Sequence, residues 1–372
     1  MTVPPGTTDQ PLGEGLRLVR YAPELRAAFL DFRRYHYGQA SLLADPAYVE
    51  WLFGEGAPGA REKGAPLWLC EDRDQVVVGA QGLIRVALKV GQQTVPAAWS
   101  IDFAVREEVR KQGVGSALGA QSRKEVGTRL LLEGTPAAVR IALRVGWKAV
   151  CEVPLWVKPL DLGRFARRSE VDLAKRLAIG AAAPLLSILD RRALRAAVAA
   201  GVTLVPTAAF DERVDRIWQA CAAELPVACP RDLAFLSWRF GQYPAEGRYR
   251  IHWLQRGGET LGYAVLRLGD HQGARTGFVV DFLCPRALLP ALLARAVELF
   301  RAEGATIARC LHLGPHAARA FLPLGFFKRS SGWPFMVRTT DAAAEVAALM
   351  EDPAQWFLTA ADSNVDRPRD GV

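Results

Sequence analysis

The segment Arg110-Lys-Gln-Gly113-Val-Gly115-Ser116 is the stretch of this chain best suited to hold an anion. Glycine lets a ligand approach the backbone with no Cβ in the way, so consecutive N–H groups can surround a phosphate. Val114, Ala117 and Leu118 recur at helical spacing behind it, so a helix starts at the loop and turns its positive dipole end towards the same ligand. The apolar run Trp99-Ser-Ile-Asp-Phe-Ala-Val105 before it reads as a strand. Strand, glycine loop and helix start together describe a diphosphate cradle. A second match to the glycine pattern, Gln10-Pro-Leu-Gly13-Glu-Gly15, has neither a strand before it nor a helical pattern directly after it.

Other reactive side chains lie near this feature or stand alone. Asp102 sits on the strand itself, a candidate general base. Tyr35, His36 and Tyr37, in Arg34-Tyr-His-Tyr-Gly38, could bind an acceptor, relay a proton, or pack as an aromatic helix end. His312 and His316 are four apart, but Gly314 and Pro315 interrupt any helix between them and no third ligand is evident. The cysteines Cys70, Cys151, Cys221, Cys229, Cys284 and Cys310 form no CxxC pair. No metal is expected, and a reducing cytoplasm suits six unpaired thiols.

The elements that must position these groups occur twice. Tyr48-Val-Glu-Trp51-Leu-Phe53-Gly54 matches Phe235-Leu-Ser-Trp238-Arg-Phe240-Gly241. The strand at Gln75–Gly82 matches Glu259–Leu266, and Ile101-Asp-Phe103 matches Val280-Asp-Phe282. Pro136 to Lys148, with Gly146-Trp147 near its end, matches Pro315 to Phe327, with Gly325-Phe326. Four blocks in the same order read as a tandem duplication of one α+β unit. The second copy has no glycine pair: after Phe282 it reads Leu-Cys-Pro-Arg-Ala-Leu-Leu-Pro290, which cannot form the same cradle.

Composition sets the outer limits. A chain of 372 residues, 50% of them hydrophobic, can bury two domain-sized cores. The net charge of +8 suits an anionic ligand but is too modest and dispersed for nucleic acid. No apolar run is long enough to span a bilayer, and Thr2 to Glu14 lacks the order of a signal peptide. Between Asp161 and Ala200 seven Arg and one Lys face four acidic residues, a basic connector read as a solvated helical hairpin. An interfacial helix touching anionic lipid is the rival reading of that connector. Trp356 and Phe357 should dock the tail, while Asp362 to Val372 should be disordered.

Arg110-x-x-Gly113-x-Gly115 after a strand ending at Val105 resembles the acyl-CoA loop of the GCN5-related N-acetyltransferases. The repeat extends that resemblance over most of the chain. It implies an α+β fold of two tandem acetyltransferase-like domains, each a mixed twisted sheet flanked by helices, joined by a helical connector. Residues 1–15 would be a disordered N-terminus, 16–160 an acyl-CoA-binding domain, 161–205 the connector, 206–340 a degenerate copy and 341–372 a tail.

The resemblance implies a bacterial-type, cytoplasmic N-acyltransferase. It would move an acetyl or other small acyl group from acetyl-CoA or another acyl-CoA to a small-molecule amine, a metabolite or amino sugar. A monomer or homodimer is expected, with no nucleic-acid partner and no membrane span. The backbone at Phe103, Ala104 and Val105 would pair with the pantetheine arm and offer an oxyanion donor. The loop from Arg110 through Lys111, Gln112, Gly113, Val114 and Gly115 to Ser116 would hold the diphosphate. Asp102, Tyr37 and His36 would serve the acceptor side.

Asp281 matches Asp102 in the degenerate copy, which also fits a structural role for both. Trp99 and Ser100 lie near where some members carry a catalytic glutamate, and neither is a convincing base. Members commonly place a tyrosine as general acid four residues before the glycine that follows the next helix; here those positions are Ala142 and Phe321. That departure keeps a non-catalytic CoA-binding or regulatory protein open. A Fem-like aminoacyl transferase, which also pairs two such domains, is a third reading, and the intact loop favours CoA over aminoacyl-tRNA.

Overall fold

Strands buried on both faces, such as Leu67–Glu71, build the sheet, and Pro or Asp signals start several of its helices. The computed structural model describes residues 10–11, 15–163, 173–340 and 342–366. A short strand β1 (Gln10–Pro11) pairs with β2 (Arg17–Arg20), so this part of the expected disordered N-terminus is in the sheet. Residues 1–9 and 12–14, the rest of that expectation with Gly13, lie outside the described residues.

Helix α1 (Arg26–Tyr37) is followed by α2 (Pro46–Phe53), which Asp45 caps by accepting from the Ala47 amide at 2.7 Å. After the short α3 (Ala60–Lys63), an antiparallel meander runs through β3 (Leu67–Glu71), β4 (Val77–Val90) and β5 (Gln93–Val105). Helix α4 (Val114–Glu125) then crosses to β6 (Thr128–Leu132), which lies parallel to β5. Helices cover both faces. Phe29, Tyr48, Phe53 and Trp99 share one buried cluster with α1 and α2, whereas Val114 and Leu118 of α4 pack on Cys70 and Val78 on the other. Gly79 permits that approach, since a Cβ there would stand 2.7 Å from Val114 Cγ1.

Helix α5 (Pro136–Arg144) leads to β7 (Lys148–Glu152) and β8 (Leu155–Pro159). Within the connector, helix α6 (Leu173–Ala199) runs with Pro184 inside it, and its alanine-rich composition favours the helix. Residues 164–172 of the connector lie outside the described residues. No helix among the described residues is long and apolar enough to cross a membrane.

The remaining chain repeats the order. Strand β9 (Val202–Thr207), helix α7 (Arg213–Ala222), strand β10 (Val227–Ala228) and helix α8 (Leu233–Leu236) precede a meander of β11 (Arg250–Arg256), β12 (Glu259–His271) and β13 (Ala274–Leu283). Helix α9 (Leu289–Ala302) crosses to the parallel β14 (Ile307–Leu313). After α10 (Ala317–Phe321) come β15 (Phe327–Arg329), β16 (Pro334–Arg338), α11 (Ala344–Glu351) and β17 (Trp356–Thr359).

The last strands of the two segments change places. β8 runs antiparallel to β14 and β15, with Trp156 opposite Cys310 and Lys328. β16 lies between β6 and β7, with Phe335 opposite Leu132 and Cys151. A boundary at residue 160 therefore falls just after a strand whose hydrogen bonds lie in the other segment. The result is a mixed sheet of antiparallel and parallel strands flanked by helices.

The tail corrects an expectation. Asp362, Ser363, Asn364, Val365 and Asp366 are all buried. Asp362 pairs with Arg231 at 2.6 Å, and Asp366 pairs with Arg267 at 2.6 Å. Their polar composition suggested solvent, but buried arginines elsewhere in the chain need these carboxylates. Residues 367–372 lie outside the described residues.

Candidate functional site

Two parallel strands that part company leave an open edge. β5 pairs with β6 only from Ala97–Thr128 to Trp99–Leu130, while its other edge stays on β4 as far as Val105. From Ser100 to Val105 the β6-facing edge has no strand partner among the described residues. Within this stretch β5 carries a bulge, since Ile101 faces Gly82 and Ala104 faces Ala80. Asp102 occupies it at φ +48°, a left-handed conformation that costs a non-glycine residue about 1 kcal/mol. The Gln81 amide braces the bulge by donating to the Ile101 carbonyl at 3.0 Å.

Neighbours on this edge serve opposite faces. Phe103 looks towards α4, its ring 3.1 Å from where a Gly115 Cβ would stand. Asp102 looks towards α1, where Arg33 Nη1 donates to it at 2.8 Å and the Tyr37 hydroxyl at 3.3 Å. A ligand threaded through the open edge would thus touch the glycine loop on one face and Asp102 on the other.

On the α4 side the glycine loop leads directly into the helix. Lys111 (φ +76°) and Gly113 (φ +84°) are both left-handed, and Gly113 ends the loop as the residue before α4. Open space surrounds the Gly113 Cβ position, so the backbone angle is what demands glycine there. Val114, Gly115 and Ser116 form the first turn, whose amides have no carbonyl four residues back within the helix. The Ala117 amide is the first to close a turn, on the Gly113 carbonyl at 3.0 Å. Gln112 differs from its expected role, because its amide already donates to the Val109 carbonyl at 3.2 Å. Arg110 is exposed and pairs with Glu107 at 2.8 Å.

On the α1 side the Tyr-His-Tyr cluster meets the strand. Tyr35 lies under the Arg106 guanidinium at 4.6 Å, and Tyr37 reaches Asp102. His36 packs on Phe32 with ring centroids 4.5 Å apart, its Nε2 buried with no hydrogen-bond partner. Burial lowers its pKa, and the nearby Arg106 and Arg110 cations lower it further, so the ring is neutral at pH 7.

Arg33 is the residue that sequence reasoning missed. It is 1% exposed, its Nε donates to the Leu43 carbonyl, and its guanidinium lies within 5.1–5.7 Å of the Phe29, Tyr37 and Tyr48 rings. The available signal was an arginine four residues from both Phe29 and Tyr37, in the stripe of α1 that faces the core.

The other candidates lie in structural roles. Trp99 is buried against Phe335, and Ser100 accepts a 2.6 Å bond from buried Arg129. Ala142 and Phe321 are both buried, Phe321 stacked on Trp156. His312 is a core residue of β14 bonded to the Leu358 carbonyl at 2.9 Å, whereas His316 stands in a turn at φ +65°. No group of three metal-ligating side chains occurs among the described residues.

No protein-family model and no curated protein sequence matches the chain. Solved structures do. A GCN5-related N-acetyltransferase from Anabaena variabilis superposes with a TM-score of 0.58 at 14% identity, covering 88% of this chain and 73% of its own. A GCN5-related N-acetyltransferase from Kribbella flavida gives 0.57 at 17% identity, over 89% and 71%. Saccharomyces cerevisiae N-myristoyltransferase, solved with bound myristoyl-CoA, gives 0.56 at 11% identity, over 91% and 86%. At such identities the likeness is one of architecture: the chain has the fold that GCN5-related N-acetyltransferases and N-myristoyltransferase share.

Proposed function

We propose that this chain is an N-acyltransferase that moves an acetyl or other small acyl group from a CoA thioester to the amine of a small metabolite or amino sugar. The observation that carries this reading is the open edge of β5, with the loop amides on one face and Asp102 on the other. The amides of Val114, Gly115 and Ser116 hold the diphosphate, and the dipole of α4 adds about 0.3–2 kcal/mol. The thioester arm pairs along Phe103–Val105, where a backbone N–H faces the developing oxyanion, worth about 3–4 kcal/mol of barrier.

The acceptor approaches from the α1 side. The amine nitrogen forms the new C–N bond, the C–S bond breaks, and the proton lost by the amine ends on the coenzyme sulfur. Asp102, with its carboxylate bound to Arg33 and Tyr37, orients the amine, and Tyr37 relays the proton. Neutral His36 lines the same side. The protein acts in the cytoplasm as a monomer or homodimer, without nucleic acid.

In this reading residues 16–160 and 206–340 are tandem copies, and the second is degenerate. Three observations support that. Pro290 lacks an amide in the first turn of α9. β13 and β14 separate after Val279–Cys310, and β17 lies against β14 beyond that point, with Thr359 opposite His312. The Thr359 hydroxyl also donates to Asp281 at 2.6 Å. The cleft that is open in the first copy is thus lined here by the chain's own tail.

Calorimetric titration with acetyl-CoA and longer acyl-CoAs tests the proposal. One site per chain, lost in Gly115→Asp, supports it; no binding to any CoA ester overturns it. A non-catalytic CoA-binding protein is the second reading, favoured by Ala142 at the usual acid position. Binding without turnover across a broad amine panel would select it.

A further inference from the structure

Both bulged strands carry an aspartate held by a buried arginine, and one short segment of the tail reaches both pairs. In the second half Arg231 Nε contacts both Asp281 oxygens at 3.2 Å, and its Nη2 meets Asp362 at 2.6 Å. In the first half Arg33 holds Asp102, and the ring of Tyr48 forms one wall of the Arg33 cage. The Tyr48 hydroxyl donates to Asn364 Oδ1 at 2.8 Å, across 316 residues of sequence. Thr359 to Asn364 therefore touches the surroundings of both aspartates.

We propose that Asn364 is a positioning residue for Asp102, acting through Tyr48 and Arg33. Asp102 stands at a left-handed backbone position that does not by itself fix its carboxylate, so its side-chain partners must. Among those partners Arg33 is charged and 1% exposed, with Nη2 bonded to no acceptor. Its plane is set by Leu43, Asp102 and the three ring faces. One of those faces, Tyr48, is held by Asn364 at its hydroxyl and by Trp51 at its ring, with centroids 5.5 Å apart. Removing the hydroxyl bond takes away the polar anchor that ties this ring to Asn364, and a shift of the ring within its contacts with Trp51 and Tyr243 would carry the guanidinium and Asp102 with it.

This inference uses the proposed role of Asp102 only for its functional meaning, and its test is independent of turnover. Carbodiimide with a small amine converts an accessible, protonatable carboxyl to an amide, and peptide mass mapping reads the Asp102 peptide across a pH series. In Tyr48→Phe and in Asn364→Ala, labelling of Asp102 should rise about threefold or more, and the double variant should exceed neither single. Arg33→Lys is the positive control. Asp102 labelling unchanged in both singles, while Arg33→Lys raises it, overturns the inference. So does an additive double variant. Failure of the parent chain to bind any acyl-CoA would overturn the proposed function and leave the labelling result to decide the positioning role.

Discussion

Trp51 and Trp238 stack with ring centroids 5.1 Å apart and planes 12° from parallel, and each indole donates to the other's backbone carbonyl, at 2.8 and 3.0 Å. The contact is reciprocal, the arrangement two matching surfaces make when they meet about a local twofold. The two tryptophans come from the matching blocks, Trp51 in α2 and Trp238 in the turn Ser237–Gly241 that follows α8. Together with the exchange of β8 and β16, this binds the halves into one body.

Trp51→Phe should therefore weaken the whole chain. It removes one indole N–H, leaves the Trp238 carbonyl without that donor, and trims a buried stack, together about 2–3 kcal/mol. Guanidinium unfolding, read by circular dichroism and fluorescence, should show one shared transition moved to lower denaturant. Two separate transitions would mean that the halves hold themselves together independently.

The glycine loop makes a sharper test of the donor site. Gly115→Asp puts a charged side chain at the proposed phosphate position and forces a Cβ to within 3.1 Å of the Phe103 ring. Acyl-CoA binding should disappear with little change in melting temperature. Gly113→Ala has room for its methyl but not the backbone angle, and should cost about 1 kcal/mol of stability and weaken binding less. Equal loss of binding in both would show that loop conformation, not ligand space, controls affinity.

Local patterns carried much of this in the sequence. The glycine loop, its strand and its helix were legible because glycine, β-branched residues and helical spacing mark them within a few residues. Asp102 and Tyr37 were visible as candidates, but their meeting was not, because 65 residues separate them. Arg33 and the tail were hidden for one reason. A charged residue reads as solvent-facing until its buried partner is known, and the partners of Asp362 and Asp366 lie on distant strands. The strand exchange left no local mark, because β8 and β16 have the same apolar pattern whichever sheet they join.

His312 should make stability depend on acid. Burial pushes its pKa down to about 4, against the bond to Leu358, which favours the protonated ring. The unfolded chain takes up that proton near pH 6.5, so the stabilisation is complete above this value. It is lost as pH falls from 6.5 to about 4, by roughly 3 kcal/mol. His312→Phe should flatten that part of the curve relative to the parent, at some cost near neutrality from the lost bond to Leu358. Parallel curves for the two proteins would mean that the ring charges in place without penalty.

Asp102→Asn separates binding from turnover. Acyl-CoA affinity should hold, because the proposed diphosphate contacts lie on the other face of β5. With a competent amine, kcat should fall by about 10²-fold and the acid limb of its pH profile should flatten. An unchanged rate would return Asp102 to the structural role that Asp281 already fills.

Asp362→Ala tests whether the tail is part of the core. Arg231 is wholly buried between Asp281 and Asp362, so deleting one carboxylate leaves two charges where there were three, with the Nη1 and Nη2 bonds and the Thr359 amide bond to Asp362 all lost. Arg231 stays paired with Asp281, so the loss is that of its hydrogen bonds to Asp362, about 2–3 kcal/mol. Thermal unfolding should shift down by several degrees, and proteolysis should begin at the C-terminal end, where β17 loses its anchor. In the proposed reading the number of acyl-CoA sites should stay at one, because Pro290 removes an amide from the first turn of α9 even with its cleft relaxed. A second site appearing in this variant would mean that the tail, and not the missing cradle, keeps that half from binding.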